Sequence, residues 1–213
     1  MSKFAEWVVS AFESLTPDRS GIFSDAHAQS MSDWRVKQQA MVTGSGAAAA
    51  AIPVAHLATM SADVVFLMNR MSVCAYGIGA IIGGTAQSRD FLEEEDFPNI
   101  LAVWAGDDDV DNMLTSKMVV DIAAQVGGKM GAKLIGKTIA VAGGVMLGKE
   151  LSAKVSAKVA LKFASKLAAK AAGGFIPFVG AAIGGGINLW FITSIADAAD
   201  RYYRFKLEVA RTA

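Results

Sequence analysis

Few residues in this chain are spaced for chemistry. Asp107, Asp109 and Asp111 alternate as the first ligands of a calcium loop do, where carboxylate oxygens hold the cation. The pattern then breaks, because Asn112 stands where the loop needs its turn glycine and Met118 where it needs a bidentate Glu. The acidic run reads instead as helix N-capping and solvated loop. His27 and His56 are far apart, and neither belongs to an H-E-x-x-H pattern. Cys74 lies in apolar helical text, which favours a small core residue over a nucleophile, since a reactive thiol needs an accessible, electropositive setting. There is no G-x-S-x-G elbow and no P-loop. The expectation is a protein that is not an enzyme, with no catalytic residue, no metal and no cofactor.

The least ordinary feature is a four-residue period. From Ala124 to Ala172 every fourth residue is small, including Gly128, Gly136, Gly144, Gly148, Ser152, Ser156 and Ala160. In the later half Leu151, Val155, Val159, Phe163 and Leu167 form an apolar row and Lys154, Lys158, Lys162, Lys166 and Lys170 a cationic one. A helix has about 3.6 residues per turn, so each row winds by roughly 40° per repeat. Three roles are open to the lysines: a solvated face whose stems cover apolar neighbours, a contact with anionic lipid headgroups worth about 1 kcal/mol per Lys, or pairing with acidic residues of this chain or of another copy. Small residues four apart also occur at Gly79/Gly83, Gly127/Gly131, Gly144/Gly148 and Gly180/Gly184, a spacing that lets helix backbones approach closely. Each interior Gly costs a helix roughly 1 kcal/mol relative to Ala, which packing or insertion must offset.

The elements that carry these residues are helical, with almost no strand alternation. Phe4, Val8, Ala11, Phe12 and Leu15 predict a short amphipathic helix over 2–15, stopped at Thr16, Pro17 and Asp18 and followed by a polar loop through Gly21, Ser24 and Asp25. A second helix is predicted over about 28–51, ended by Pro53, and a third over 54–87. Residues 90–111 read as an acidic, exposed connector around the apolar insert Ile100 to Trp104. Helical text resumes from Asp111, with its likeliest break at Gly143 and Gly144. A Gly-rich stretch interrupted by Pro177 then leads to a last helix carrying Trp190, Phe191, Ile195, Tyr202 and Tyr203, basic at Arg201, Arg204 and Lys206. The fold class expected is all-α: a single helical bundle with Gly- and Ala-rich, closely packed helices, divided into an N-terminal helix and loop over 1–25 and a helical domain over 26–213.

Composition narrows the function. The 213 residues carry 20 Lys+Arg against 20 Asp+Glu, are 53% hydrophobic, and have a mean hydropathy of +0.39. Such a chain buries enough apolar surface to order itself. With no net charge and no nucleic-acid signature, nucleic acid is not the expected partner. One cysteine excludes an intramolecular disulfide, and Glu6 and Glu13 argue against a secretory signal, so cytoplasmic folding is expected. Residues 38–62, 71–88 and 171–196 contain no Asp, Glu, Lys or Arg. Each is long enough to span a bilayer, yet none has the Leu and Ile density of a confident span. The hairpin 171–196 is the best candidate for insertion.

Residues 176–188, IPFVGAAIGGGIN, followed by Ala196, Ala199, Tyr202 and Arg204, resemble the closing signature of the EcsC family. Residues 67–79, LMNRMSVCAYGIG, resemble that family's Arg, Tyr-Gly element at Arg70, Tyr76 and Gly77. The resemblance runs from about residue 35 onward. It implies a helical, membrane-associated bacterial protein, whose founding member accompanies an ABC transporter operon, and it supplies no catalytic residues. The function expected is therefore association with the inner face of the membrane, peripheral or conditionally inserted, with membrane perturbation or pore formation as its extension. Lys154, Lys158, Lys162, Lys166, Lys170, Trp190, Arg201 and Arg204 would meet anionic lipid, and Gly144, Gly148, Pro177, Gly180 and Gly184 would pack helices. The alternative is a soluble interaction or scaffold protein forming homo-oligomers.

Overall fold

A computed structural model describes residues 10–12, 15, 17–50, 56–87, 91–106, 146–147, 150–151, 153–173 and 179–212. Its helices are α1 (Arg19–Ala26), α2 (Met31–Ala50), α3 (His56–Gln87), α4 (Asp96–Ala105), α5 (Ala153–Gly173) and α6 (Val179–Thr212). Two two-residue strands, β1 (Met146–Leu147) and β2 (Glu150–Leu151), pair antiparallel, with Met146 opposite Leu151. The fold is all-α in class, as the periodicity predicts. The short β pair stands where the repeat predicts helix, and Gly148 lies between its strands in sequence. Glycine removes both propensity and side-chain contacts from a helix, which is the physical reason a Gly-rich repeat can yield there.

The centre is a three-helix layer of α2, α3 and α6. Ser30 caps the start of α2: its Oγ accepts from Asp33 N at 3.1 Å and donates to Asp33 Oδ2 at 2.7 Å. The helix ends at Ala50, before Pro53. Helix α3 is buried almost continuously from Met71 to Ala80 and breaks at Gly84, whose φ of 53° and ψ of −162° only glycine adopts without strain. Aromatic rings hold α5 to this layer: Phe163 stacks on Phe191 of α6 at 4.4 Å and meets Trp104 of α4 edge-on at 5.6 Å. Phe12, helical as expected, inserts against Phe163 and Phe97.

Two expectations are corrected here. The polar loop predicted after residue 18 is helix α1, started by Asp18, whose Oδ1 accepts from Gly21 N at 3.0 Å. The connector predicted to be exposed is largely a core element. Its helix α4 buries Asp96, Phe97 and every residue from Asn99 to Trp104, and closes on Gly106 at φ 76°, the left-handed C-terminal position that favours glycine. Residues 107–111 of the acidic run lie outside the described residues.

Candidate functional site

Close packing at glycine is real, but its partner is a ring rather than a helix backbone. A Cβ on Gly77 would lie 2.1 Å from the Trp34 ring, one on Gly79 2.4 Å from Tyr203, and one on Gly83 2.7 Å from Phe91. The Gly79/Gly83 pair thus seats two aromatic rings. Gly144, Gly148 and Pro177 lie outside the described residues, and the side-chain surroundings of Gly180 and Gly184 do too, although both belong to α6.

The lysine row does not form one outward face. Lys154 is exposed at the start of α5. Lys158 Nζ donates to Gly106 O at 3.0 Å, and Lys162 Nζ donates to Trp104 O. Both therefore sit at the C-terminal end of α4, where unpaired carbonyls and the helix dipole attract cations. Lys162 also lies 4.5 Å from the Trp104 ring centroid, and Lys166 4.4 Å from that of Trp190. Burial, and then the neighbouring Lys166, lower the Lys162 pKa. The winding of a four-residue period explains this turn inward. The side chain of Lys170 falls outside the described set.

The remaining predicted site residues are not brought together either. Trp190 is partly buried against Trp104 and Phe191. Arg201 and Arg204 are exposed three turns further along α6, where Arg204 pairs with Asp200 at 2.8 Å. Tyr202 and Tyr203 are core residues. Cys74 is free and buried, and burial pushes its thiol up to about 12, so it is inert at neutral pH.

Sequence reasoning missed a buried polar network at one end of the bundle. Asp96, fully buried, accepts from Lys206 Nζ at 2.6 Å and Tyr202 Oη at 2.8 Å on Oδ1, and from Glu93 N at 2.9 Å on Oδ2. Glu93 lies 3.7 Å from the same ammonium, and the Phe91 ring centroid is 5.2 Å from it. Tyr76 Oη donates toward Glu93 O at 3.1 Å. Burial and the Asp96 charge raise the Tyr76, Tyr202 and Tyr203 phenols above their ordinary value. Nearby, an open cleft of about 540 Å³ is lined by Met31, Ile81, Ile82 and Leu207 with Arg204, Glu208 and Arg211 at its edge.

The opposite end differs. Arg70 bonds Gln38 Oε1, Asn188 Nδ2 donates to Val42 O at 3.1 Å, and Gln39 Nε2 donates to Thr193 Oγ1 at 3.2 Å. These antiparallel pairings place Met41, Phe66 and Leu189 at one level. All three are exposed, at 41%, 40% and 38%, and so is Val65 at 47%. Beyond that level α2 continues to Ala50 and α6 back to Val179 without a charged residue, while α3 carries only Asp63. Two of the three uncharged segments, 38–62 and 171–196, therefore meet at this end. The third is used differently. Among the described residues Val64–Gly84 of α3 is the one stretch long and apolar enough to cross a membrane, and 61% of its most apolar window is buried in the bundle.

Comparison with protein-family models, curated proteins and solved structures finds no match to this chain. Among the described residues no group of three His, Cys, Asp or Glu is placed to hold a metal ion.

Proposed function

We propose that this chain is a membrane-associated helical protein that docks end-on, its uncharged end entering the apolar edge of a bilayer. The observation that carries the reading is the common level of exposed Met41, Val65, Phe66 and Leu189, at the end where two uncharged segments meet. Monomeric proteins rarely leave large apolar side chains grouped in this way without a partner surface. The resemblance to the EcsC family supports the same reading and a bacterial, cytoplasmic-face location. In this proposal the protein has no enzymatic role. The association is chiefly hydrophobic, because Lys158 and Lys162 are occupied by α4.

Flotation of the full chain with phosphatidylcholine vesicles tests it. The parent should float with vesicles, and Phe66→Ser with Leu189→Ser should weaken binding about tenfold, from the apolar area that two partly exposed side chains would otherwise bury. Dye release from the same vesicles would add pore formation to the reading. A parent that ignores vesicles overturns the proposal. If it self-associates instead, and the double substitution makes it monomeric, the scaffold alternative takes its place.

A further inference from the structure

We propose that Arg70, with Gln38 beside it, is a binding site for the phosphate of an anionic phospholipid, set one helical turn below the apolar collar; the inference rests on the end-on docking reading. Arg70 is partly buried, and its hydrogen-bond partner among the described residues is the Gln38 amide oxygen rather than a carboxylate. Arg35, on α2, has one, its Nη1 lying 2.7 Å from Asp197 Oδ1, although its Nε too is without an acceptor. Arg70 Nε and the fully buried Gln38 Nε2 hydrogen-bond to no protein atom. Two donors of different side chains are therefore left without acceptors at one place. Buried donors are ordinarily satisfied, and a guanidinium presents its N–H groups in a planar fork that suits a phosphate or carboxylate. Desolvation lowers the Arg70 pKa, with the Cys74 thiol acting in the opposite sense and no carboxylate of the described residues doing so, and an anion would relieve that cost.

The position selects a lipid phosphate over a soluble anion. Phe66 and Arg70 are four residues apart on α3, hence on one face and about 6 Å apart along the axis. The polar layer of a bilayer extends a comparable distance outside the hydrocarbon, about 5–7 Å per leaflet. With the collar of Met41, Val65, Phe66 and Leu189 at the hydrocarbon edge, Arg70 lies at headgroup depth. Lys37 on α2, Arg70 on α3 and Asp197 on α6 fall near one level, with Asp63 of α3 further out, and Asp197 is already paired with Arg35. Lys37 is itself exposed, so a negative surface is favoured there.

The test compares the full chain on vesicles of phosphatidylcholine alone and of phosphatidylcholine with phosphatidylglycerol. The parent should prefer the anionic vesicles. Arg70→Gln should lose about fivefold of that preference, with a smaller loss on phosphatidylcholine alone, whose phosphate is neutralised by its own choline. Arg70→Lys, which keeps the charge without the fork, should recover part of it. Phe66→Ser with Leu189→Ser should weaken binding to both vesicle types, which separates failure of the collar from failure of the phosphate site. An Arg70→Gln protein that melts like the parent and keeps the full anionic preference overturns the inference. So does a parent without any such preference. If inorganic phosphate alone raises the melting temperature of the parent and not of Arg70→Gln, the site serves a soluble anion and the lipid assignment falls.

Discussion

The two ends of the central three-helix layer handle polarity in opposite ways. On α6, Asn188 and Lys206 are 18 residues apart, about 27 Å along the helix. Around Lys206 the bundle is closed: charges are buried, each has a partner, and α4 is bound over them. Around Asn188 it is open, with apolar side chains outside and charged residues almost absent. The difference teaches that hydropathy alone does not locate a membrane contact here. The segment of highest apolarity, Val64–Gly84 of α3, is largely covered by its neighbours, and it is its first turn, with Val65 and Phe66, that joins exposed Met41 and Leu189 of the more ordinary Ala- and Gly-rich helices.

The largest expected effect breaks the closed end. Lys206→Met leaves the buried Asp96 carboxyl without its counter-charge, and removal of one member of such a pair costs about 3–5 kcal/mol. Urea unfolding should register that loss. Adding Asp96→Asn should cost less than the sum of the two single changes, because the partners share one interaction. Additive losses would show that the network is not a coupled unit, and the contrast between the ends would weaken accordingly.

A smaller loss is expected from Gly77→Ala. The new methyl group would meet the Trp34 ring at 2.1 Å, and that ring is fixed by Trp34 Nε1 donating to Cys74 O at 3.1 Å. Overpacking of this kind costs about 1–3 kcal/mol, to be read as a lowered melting temperature. An unchanged melt would mean that Trp34 can swing away, and that the glycine is not there to seat it.

Much of the bundle was legible because long helices write their period plainly. The helices expected over about 28–51 and 54–87 are α2 (Met31–Ala50) and α3 (His56–Gln87). Helix α1 was not, since RSGIFSDA offers only Ile22 and Phe23 as large apolar residues and contains Gly21. The available signal was Asp18, a good N-cap directly before it. The buried network was hidden for a different reason. Counting charges along residues 90–111 suggests exposure, but burial depends on a partner over a hundred residues away. A trace was present in Lys206, which lies four and three residues from Tyr202 and Tyr203 and so shares their apolar face. A lysine on a core face calls for an acid. The open collar left no such trace, because Met41, Phe66 and Leu189 become neighbours only through the antiparallel register of three helices.

The smallest expected effect sharpens the open end. Gly186 sits within α6, is exposed, and a Cβ placed on it would meet nothing within 4 Å. In a helix interior Ala is favoured over Gly by up to about 1 kcal/mol, because glycine loses more backbone freedom on folding. Gly186→Ala should therefore raise the melting temperature slightly or leave it unchanged, the opposite sign from Gly77→Ala. The comparison uses one substitution type on two helices of the same layer, so the sign depends on what surrounds each glycine rather than on intrinsic propensity. A loss of stability at Gly186, together with a change in assembly state by light scattering, would mean that another copy already covers this surface in solution. The uncharged end would then be an interface between protomers, and the bilayer would no longer be its partner.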